Sequence, residues 1–119
     1  MATQAHVTIY HNPRCTKSRQ TLQLLRRRGI EPAVVEYLNE APDEQQLRSL
    51  LKKLRMRPMD LIRRKEKQFT DLGLEKKQND DTALIRAMAK NPILIERPIV
   101  IKGTKAALGR PPENVLEIL

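Results

Sequence analysis

The sequence has little cysteine, few aromatic residues and no long apolar run. Its 119 residues include one cysteine, which excludes an internal disulfide and a metal site built on several cysteines. No apolar run approaches the roughly 20 residues that span a bilayer, and residues 1–10 have no basic region followed by an apolar stretch. We therefore expect a cytoplasmic protein with no signal peptide and no membrane contact.

The scarcity of aromatic residues limits what the positive charge can do. Lys and Arg number 23 against 14 Asp and Glu, a net charge of +9, while aromatics are 3% and Trp is absent. Such a balance attracts anions: nucleic acid along a face, or a small oxyanion at one point. Much of the positive charge could also lie on an ordinary solvated surface. Nucleic-acid binding would need stacking aromatics, so we expect no nucleic-acid partner.

The first forty residues have the pattern of a strand, a loop, a helix and a second strand. Residues 6–10 have strand composition, residues 16–28 have helical periodicity, and residues 33–38 predict a largely buried strand. Gly29 is a natural end for the helix. Two strands joined by a crossover helix should be parallel, with a right-handed crossover.

Residues 43–91 predict an all-helical block. Asp43 with Gln46 three residues later is typical of a helix start. Pro58 can begin another helix, and Asp80 or Asp81 can cap a further one. The apolar residues at helical spacing are Leu47, Leu50, Leu51 and Leu54 in the first helix, Met59 and Ile62 in the second, which also carries Arg63, and Leu84, Ile85 and Met88 in the third.

The last part of the chain predicts a hairpin and a final helix. Strands at 99–101 and 105–108 flank a turn containing Gly103, and Pro111-Pro112 opens the helix. The order β-α-β, helices, β-β-α predicts an α/β fold of the thioredoxin-like kind. We expect a mixed sheet of about four strands in a single domain, residues 1–119, with a helical insertion at about 43–91.

Cys15 lies between the first predicted strand and the first predicted helix. The partial positive charge and free N–H groups of a helix N-terminus favour a thiolate, and Arg14, Lys17 and Arg19 add positive charge. A lone cysteine is commonly inert and buried, but Cys15 stands in a polar segment rather than an apolar run. We predict that Cys15 is a reactive nucleophile.

The same turn could bind an anion. Backbone N–H groups of residues 15–18 would face a ligand above the sulfur, and the hydroxyls of Thr16 and Ser18 could donate to it, although Thr16 could equally be an ordinary cap. The loop differs from the Cys-x5-Arg loop of tyrosine phosphatases because Thr21 stands where that arginine would be. Ser18 in place of a second cysteine excludes a Cys-x-x-Cys disulfide.

His11 precedes Cys15 by four residues. A neutral imidazole could accept the thiol proton and an imidazolium could stabilise the thiolate, or His11 could simply bond to backbone. Metal binding needs about four ligands, and His6 is the only other histidine, so we expect no metal site.

Three arginines could bind an oxyanion through their guanidinium forks. Arg97 precedes Pro98 just before a predicted strand, and Arg110 precedes Pro111 just after one. Arg63 lies on the apolar-side spacing of its predicted helix. Spacing alone cannot show that these side chains converge, and each could be an ordinary surface arginine.

These residues resemble the glutaredoxin-coupled arsenate reductases, the ArsC/Spx group, and in particular its shorter ArsC-like members. The nucleophile loop reads Ile9-Tyr10-His11-Asn12-Pro13-Arg14-Cys15, followed by Ser18-Arg19. Further matches extend over nearly the whole chain: Tyr37-Leu38, Leu72-Gly73-Leu74, Asn91-Pro92-Ile93-Leu94, Arg97-Pro98-Ile99-Val100 and Gly109-Arg110-Pro111.

The resemblance implies an oxidoreductase that reduces arsenate to arsenite through a cysteine S-arsenate intermediate on Cys15. It implies that His11 supports the thiolate, that Arg63, Arg97 and Arg110 bind the oxyanion, and that the Arg97-Pro98 peptide is cis. Glutathione would be the co-substrate and glutaredoxin the protein partner, with no bound cofactor.

Two other functions fit the same resemblance. One is an Spx-like redox regulator that contacts RNA polymerase, although Ser18 argues against a disulfide switch. The other is a thiol oxidoreductase of the same fold with a different substrate.

Overall fold

A computed structural model describes residues 6–119, which form a four-stranded mixed sheet and a set of helices. The strands are β1 (Val7–Tyr10), β2 (Ala33–Val35), β3 (Ile99–Lys102) and β4 (Lys105–Leu108). The α-helices are α1 (Thr16–Arg27), α2 (Glu44–Leu54), α3 (Pro58–Leu61), α4 (Lys67–Asp71) and α5 (Asp81–Lys90), and 3-10 turns cover Leu74–Lys77, Pro92–Leu94 and Pro112–Ile118.

The described chain divides into two compact units. The first contains the residues up to Tyr37 together with Arg97–Leu119, and the second is Leu38–Glu96. The sheet and α1 lie in the first unit, and α2 to α5 lie in the second. The predicted helical insertion at 43–91 falls within the second unit. That the whole chain is one domain stays a prediction.

The sheet has the strand order β2-β1-β3-β4. β1 pairs in parallel with β2, whereas β1–β3 and β3–β4 are antiparallel, so that Ile9 lies between Val34 and Val100. The predicted α/β class, the parallel β-α-β unit and the hairpin are therefore confirmed. One core cluster joins the sheet to α1 and the C-terminal turn: Val7, Ile9, Leu25, Val100 and Val115, all buried.

The prediction of a largely buried second strand at 33–38 was wrong in length and in burial. β2 ends at Val35, and it is an edge strand with one hydrogen-bonded neighbour. Ala33 is exposed and Val34 is 38% exposed. The fully buried residue of this segment is Tyr37, which lies beyond the end of β2.

The helical unit follows the predicted periodicity. Asp43 caps α2, accepting the Gln46 N–H at 2.7 Å while the Gln46 side chain accepts the Asp43 N–H at 2.9 Å. Asp80, rather than Asp81, caps α5 through the N–H of Ala83 at 3.0 Å. The predicted apolar positions of both helices are buried: Leu47, Leu50, Leu51, Leu54, Leu84, Ile85 and Met88.

Two helices differ from the prediction. α3 ends at Leu61, so Ile62 and Arg63 are not on it. Instead Ile62 is extended and pairs as an isolated antiparallel bridge with Ile95. The predicted final helix is a 3-10 helix rather than an α-helix, and it buries Val115. Among residues 6–119, none of the helices has the length and apolar character that a bilayer span requires.

Candidate active site

The loop between β1 and α1 is held by its own backbone. The N–H of His11 donates to Val35 O at 2.8 Å, which ties the loop start to β2. Asn12 is buried; its carbonyl accepts the Cys15 N–H at 2.9 Å and its side-chain oxygen accepts the Arg14 N–H at 3.0 Å. This asparagine-centred turn places Cys15 at the N-cap position of α1.

Cys15 is partly exposed and has an altered pKa. Burial raises the pKa of its thiol, but the N–H of Ser18, the Arg97 side chain and the N–H of Lys17 outweigh burial and hold the pKa below its ordinary value. Helix N-terminal N–H groups and a nearby cation are the conditions that favour a thiolate. The predicted N–H groups of the helix N-terminus therefore act on Cys15, whereas the cation that lowers its pKa is Arg97 rather than the predicted Arg14, Lys17 or Arg19.

Arg97 and Arg110 lie beside Cys15. Nη1 of Arg110 lies 4.0 Å from Sγ of Cys15 and donates to the carbonyl of Arg97 at 3.2 Å. The Arg97 side chain also acts on Cys15 and lowers the pKa of its thiol. Both arginines precede a proline in a cis peptide bond, as expected for Arg97-Pro98 and not foreseen for Arg110-Pro111. The structure thus brings together two of the three predicted oxyanion-binding arginines and the sulfur.

Ser18 and His11 form a buried pair behind the loop. Nδ1 of His11 lies 2.6 Å from the hydroxyl oxygen of Ser18, which also accepts the N–H of Asn12 at 3.0 Å. Both side chains are buried. The Ser18 hydroxyl therefore forms hydrogen bonds within the loop, whereas the sequence indicated that it could donate to an oxyanion. The N–H of Ser18, by contrast, faces Cys15.

Thr16 begins α1 and is exposed. Its hydroxyl oxygen accepts Nη2 of Arg19 at 3.2 Å, while Nη1 of the same guanidinium donates to Pro13 O at 2.9 Å. Arg19 thus connects the residues on both sides of Cys15. The sequence indicates Arg19 only as a positive charge near Cys15. Its position four residues after Cys15, one helical turn further, is the signal for the contacts that it makes.

Arg63 belongs to the helical unit, where its contacts are carboxylates. Its guanidinium donates to Glu66 at 3.0 Å and to Glu96. Burial lowers the pKa of Arg63, but the nearby carboxylates of Glu96 and Glu66 have the larger effect, so the pKa is raised. These carboxylates already compensate the cation in this unit. The assignment of Arg63 to an oxyanion site stays a prediction.

Gly109 lies where the chain passes close to Thr21 and Pro98. A Cβ at this position would lie 2.4 Å from Oγ1 of Thr21 and 2.7 Å from Cγ of Pro98. The N–H of Gly109 donates to Pro98 O at 2.9 Å. The missing side chain therefore lets the segment carrying Arg110 pack against α1 and against the proline that follows Arg97.

The arrangement can bind an anion and attack it. A partly exposed sulfur with a lowered pKa faces helix N–H groups and two guanidiniums, so a tetrahedral oxyanion would meet both a nucleophile and charge compensation. Within residues 6–119 there is no group of three or more His, Cys, Asp or Glu that could hold a metal ion.

Comparison with known proteins gives consistent results. The sequence model of the ArsC family matches residues 10–118. The chain is 53% identical to the uncharacterized protein YfgD of Escherichia coli K12, covering 95% of this chain and 96% of that protein. It is 45% identical to a protein of Neisseria meningitidis named arsenate reductase, covering 95% and 97%.

Among solved structures, an arsenate reductase from Vibrio cholerae matches with a TM-score of 0.95 and 47% identity, covering 98% of this chain and all of that one. The fold is therefore that of the thioredoxin-like ArsC proteins, and the family match spans the loop from Tyr10 onward and both cis-proline segments. This chain belongs to the ArsC family.

Proposed function

We propose that this protein reduces arsenate to arsenite, with Cys15 as the nucleophile. The observation that carries the proposal is the position of the Cys15 sulfur between the N-terminus of α1 and two guanidiniums, those of Arg97 and Arg110. Relatives named arsenate reductase, at 45% identity over almost the whole chain, supply the substrate.

In the first step the Cys15 thiolate attacks arsenic. An arsenate oxygen leaves as water after taking up protons, and an S–As bond remains. The lowered pKa of Cys15 increases the fraction of thiolate at neutral pH. Arg97 and Arg110 offset the negative charge of the oxyanion, which also grows in the transition state. We assign no metal and no bound organic cofactor to this step.

The second step needs a thiol from outside the chain. Reduction of As(V) to As(III) takes two electrons, and two thiols supply them when they join in a disulfide. Cys15 is the only cysteine, so glutathione is proposed as the second thiol. Its sulfur replaces an arsenic-bound oxygen, which leaves as water. The two sulfurs then join, and arsenite departs with both electrons.

Glutaredoxin is the proposed partner that regenerates Cys15. The mixed disulfide between Cys15 and glutathione is the kind of bond that glutaredoxins reduce, whereas an intramolecular protein disulfide cannot form here. Both reductants belong to a reducing compartment, in keeping with the predicted cytoplasmic location. Thioredoxin with its reductase should be a poor substitute.

The test is arsenite production by the purified protein with arsenate, glutathione and glutaredoxin. Omission of glutathione should stop turnover, and omission of glutaredoxin should limit it to about one turnover per Cys15. Full turnover with thioredoxin and no small thiol would contradict the glutaredoxin scheme. Lack of arsenite under every condition, with the protein folded, would contradict the activity itself.

A further inference from the structure

A groove of about 650 Å³ runs along α1 and reaches the nucleophile loop. Its walls come from His11 and Pro13 of the loop and from α1, which contributes Leu22 and three arginines. A volume of this size is typical of small-molecule sites, which are about 300–1,000 Å³. The steps proposed above do not use this groove.

The groove is positively charged. Its lining contains Arg19, Arg26 and Arg27 and no carboxylate. Arg26 is paired with Glu31 at 3.1 Å. Arg19 donates to two neutral oxygens, and Arg27 is exposed; neither takes part in an ion pair among residues 6–119. Two cations are thus available to an anionic ligand, beside the apolar surface of Leu22.

Cys15 does not line the groove, but the groove reaches the loop that carries it. Pro13, in its wall, is two residues before Cys15, and Arg19 binds both Pro13 O and the Thr16 hydroxyl on either side of that cysteine. A ligand with a carboxylate at Arg19 would therefore lie against the outside of the loop that carries Cys15. A small flexible thiol in this place could direct its sulfur to the arsenic adduct.

We propose that this groove binds the thiol co-substrate: a small peptide thiol with two carboxylates, such as glutathione, held by Arg19 and Arg27. The inference rests on the proposed function for its chemical role. The bound thiol replaces an arsenic-bound oxygen in the Cys15 adduct and releases water, so a new S–As bond forms as one As–O bond breaks. Binding itself needs no arsenic.

The first test separates the groove from the oxyanion site. Arg27→Ala should raise the KM for glutathione by about 5- to 20-fold and leave the KM for arsenate unchanged, because losing one exposed charged contact weakens binding on that scale. Arg28→Ala is the matched control, since Arg28 is an exposed neighbour outside the groove lining. With 2-mercaptoethanol, which has no carboxylate, Arg27→Ala should have no effect. Equal effects of the two variants, or an equal effect with both thiols, would overturn the proposal.

The second test does not depend on activity. S-methylglutathione, which cannot react, is titrated into the ¹⁵N-labelled protein and followed by NMR. We expect shifts for the amides of His11, Leu22 and Arg27, and an about 5- to 20-fold weaker Kd in Arg27→Ala. The absence of saturable shifts, or shifts confined to other surfaces, would overturn the proposed binding in the groove, even if the protein produces arsenite. If saturable binding occurs but the protein makes no arsenite, thiol binding in the groove is supported and the proposed function is contradicted.

Discussion

Nδ1 of His11 lies 2.6 Å from the buried hydroxyl oxygen of Ser18, and the same oxygen accepts the N–H of Asn12. Burial lowers the pKa of His11, with Arg26 and Arg19 adding to the effect and Glu36 opposing it. The ring is therefore neutral at pH 7. Of the three roles that the sequence allowed for this histidine, a cation beside the thiolate is disfavoured, and a neutral ring that holds the loop through Ser18 is favoured. That the neutral ring accepts the thiol proton stays a prediction.

Ser18→Ala should destabilise the protein. The change leaves the His11 ring nitrogen and the Asn12 N–H without their common partner, and a buried unsatisfied polar group costs about 1–3 kcal/mol. Urea unfolding measures the loss. Thr16→Ala removes an exposed hydroxyl from the same loop and should cost well under half as much. Equal losses would mean that the buried pair does not stabilise the loop.

Cys15 should react with iodoacetamide at a lower pH than an ordinary thiol. A lowered pKa means that the thiolate persists as pH falls, so the alkylation rate should reach half its maximum below the usual thiol midpoint of about 8.5. Arg97→Ala removes a stabilising cation and should move the midpoint upward. A midpoint that stays in place in Arg97→Ala would show that the arginine does not act on the thiolate.

Cys15→Ser should abolish arsenite production while the fold and the arsenate affinity are kept. Serine is nearly isosteric, but its hydroxyl stays protonated at neutral pH and is a far weaker nucleophile. The guanidiniums of Arg97 and Arg110 remain in place to bind the anion. Calorimetric titration with arsenate gives the affinity. Appreciable reduction by this variant would remove Cys15 from the mechanism.

Arg97→Ala and Arg110→Ala should each weaken arsenate binding by about 1.5–3 kcal/mol, or roughly 10- to 150-fold in Kd. Each guanidinium lies beside the sulfur, where a bound oxyanion would be. Arg28→Ala, an exposed arginine beyond the end of α1, should change the Kd little. Similar losses in all three variants would favour a diffuse positive surface over a site.

Gly109→Ala should lower the free energy of unfolding by about 1–3 kcal/mol, because the new methyl group would overlap Thr21 and Pro98. Combining it with Thr21→Ala removes one of the two obstacles and should recover part of the loss, which a double-mutant cycle measures. Complete additivity of the two changes would show that the contact with Thr21 does not cause the strain.

The sequence alone determined those structural features that depend on residues close together in the chain. The Asp43 capping box, the leucine spacing of α2 and the start of α1 at Thr16 all arise within one to three helical turns, where periodicity and hydrogen-bonding chemistry act directly. The placement of Cys15 at a helix N-terminus belongs to this class. So the position of Cys15 at the helix N-terminus, and the direction of the effect of that position on its pKa, could be predicted from the sequence.

What only the tertiary structure decided depends on distant residues. Arg110 is 95 residues from Cys15, and the two meet because β3 pairs with β1 and β4 turns back along β3. No local pattern specifies that register. Likewise the sequence could not show that Ser18 points inward to His11, because a serine at that helix position can equally face solvent until the sheet and the loop bury one side of α1.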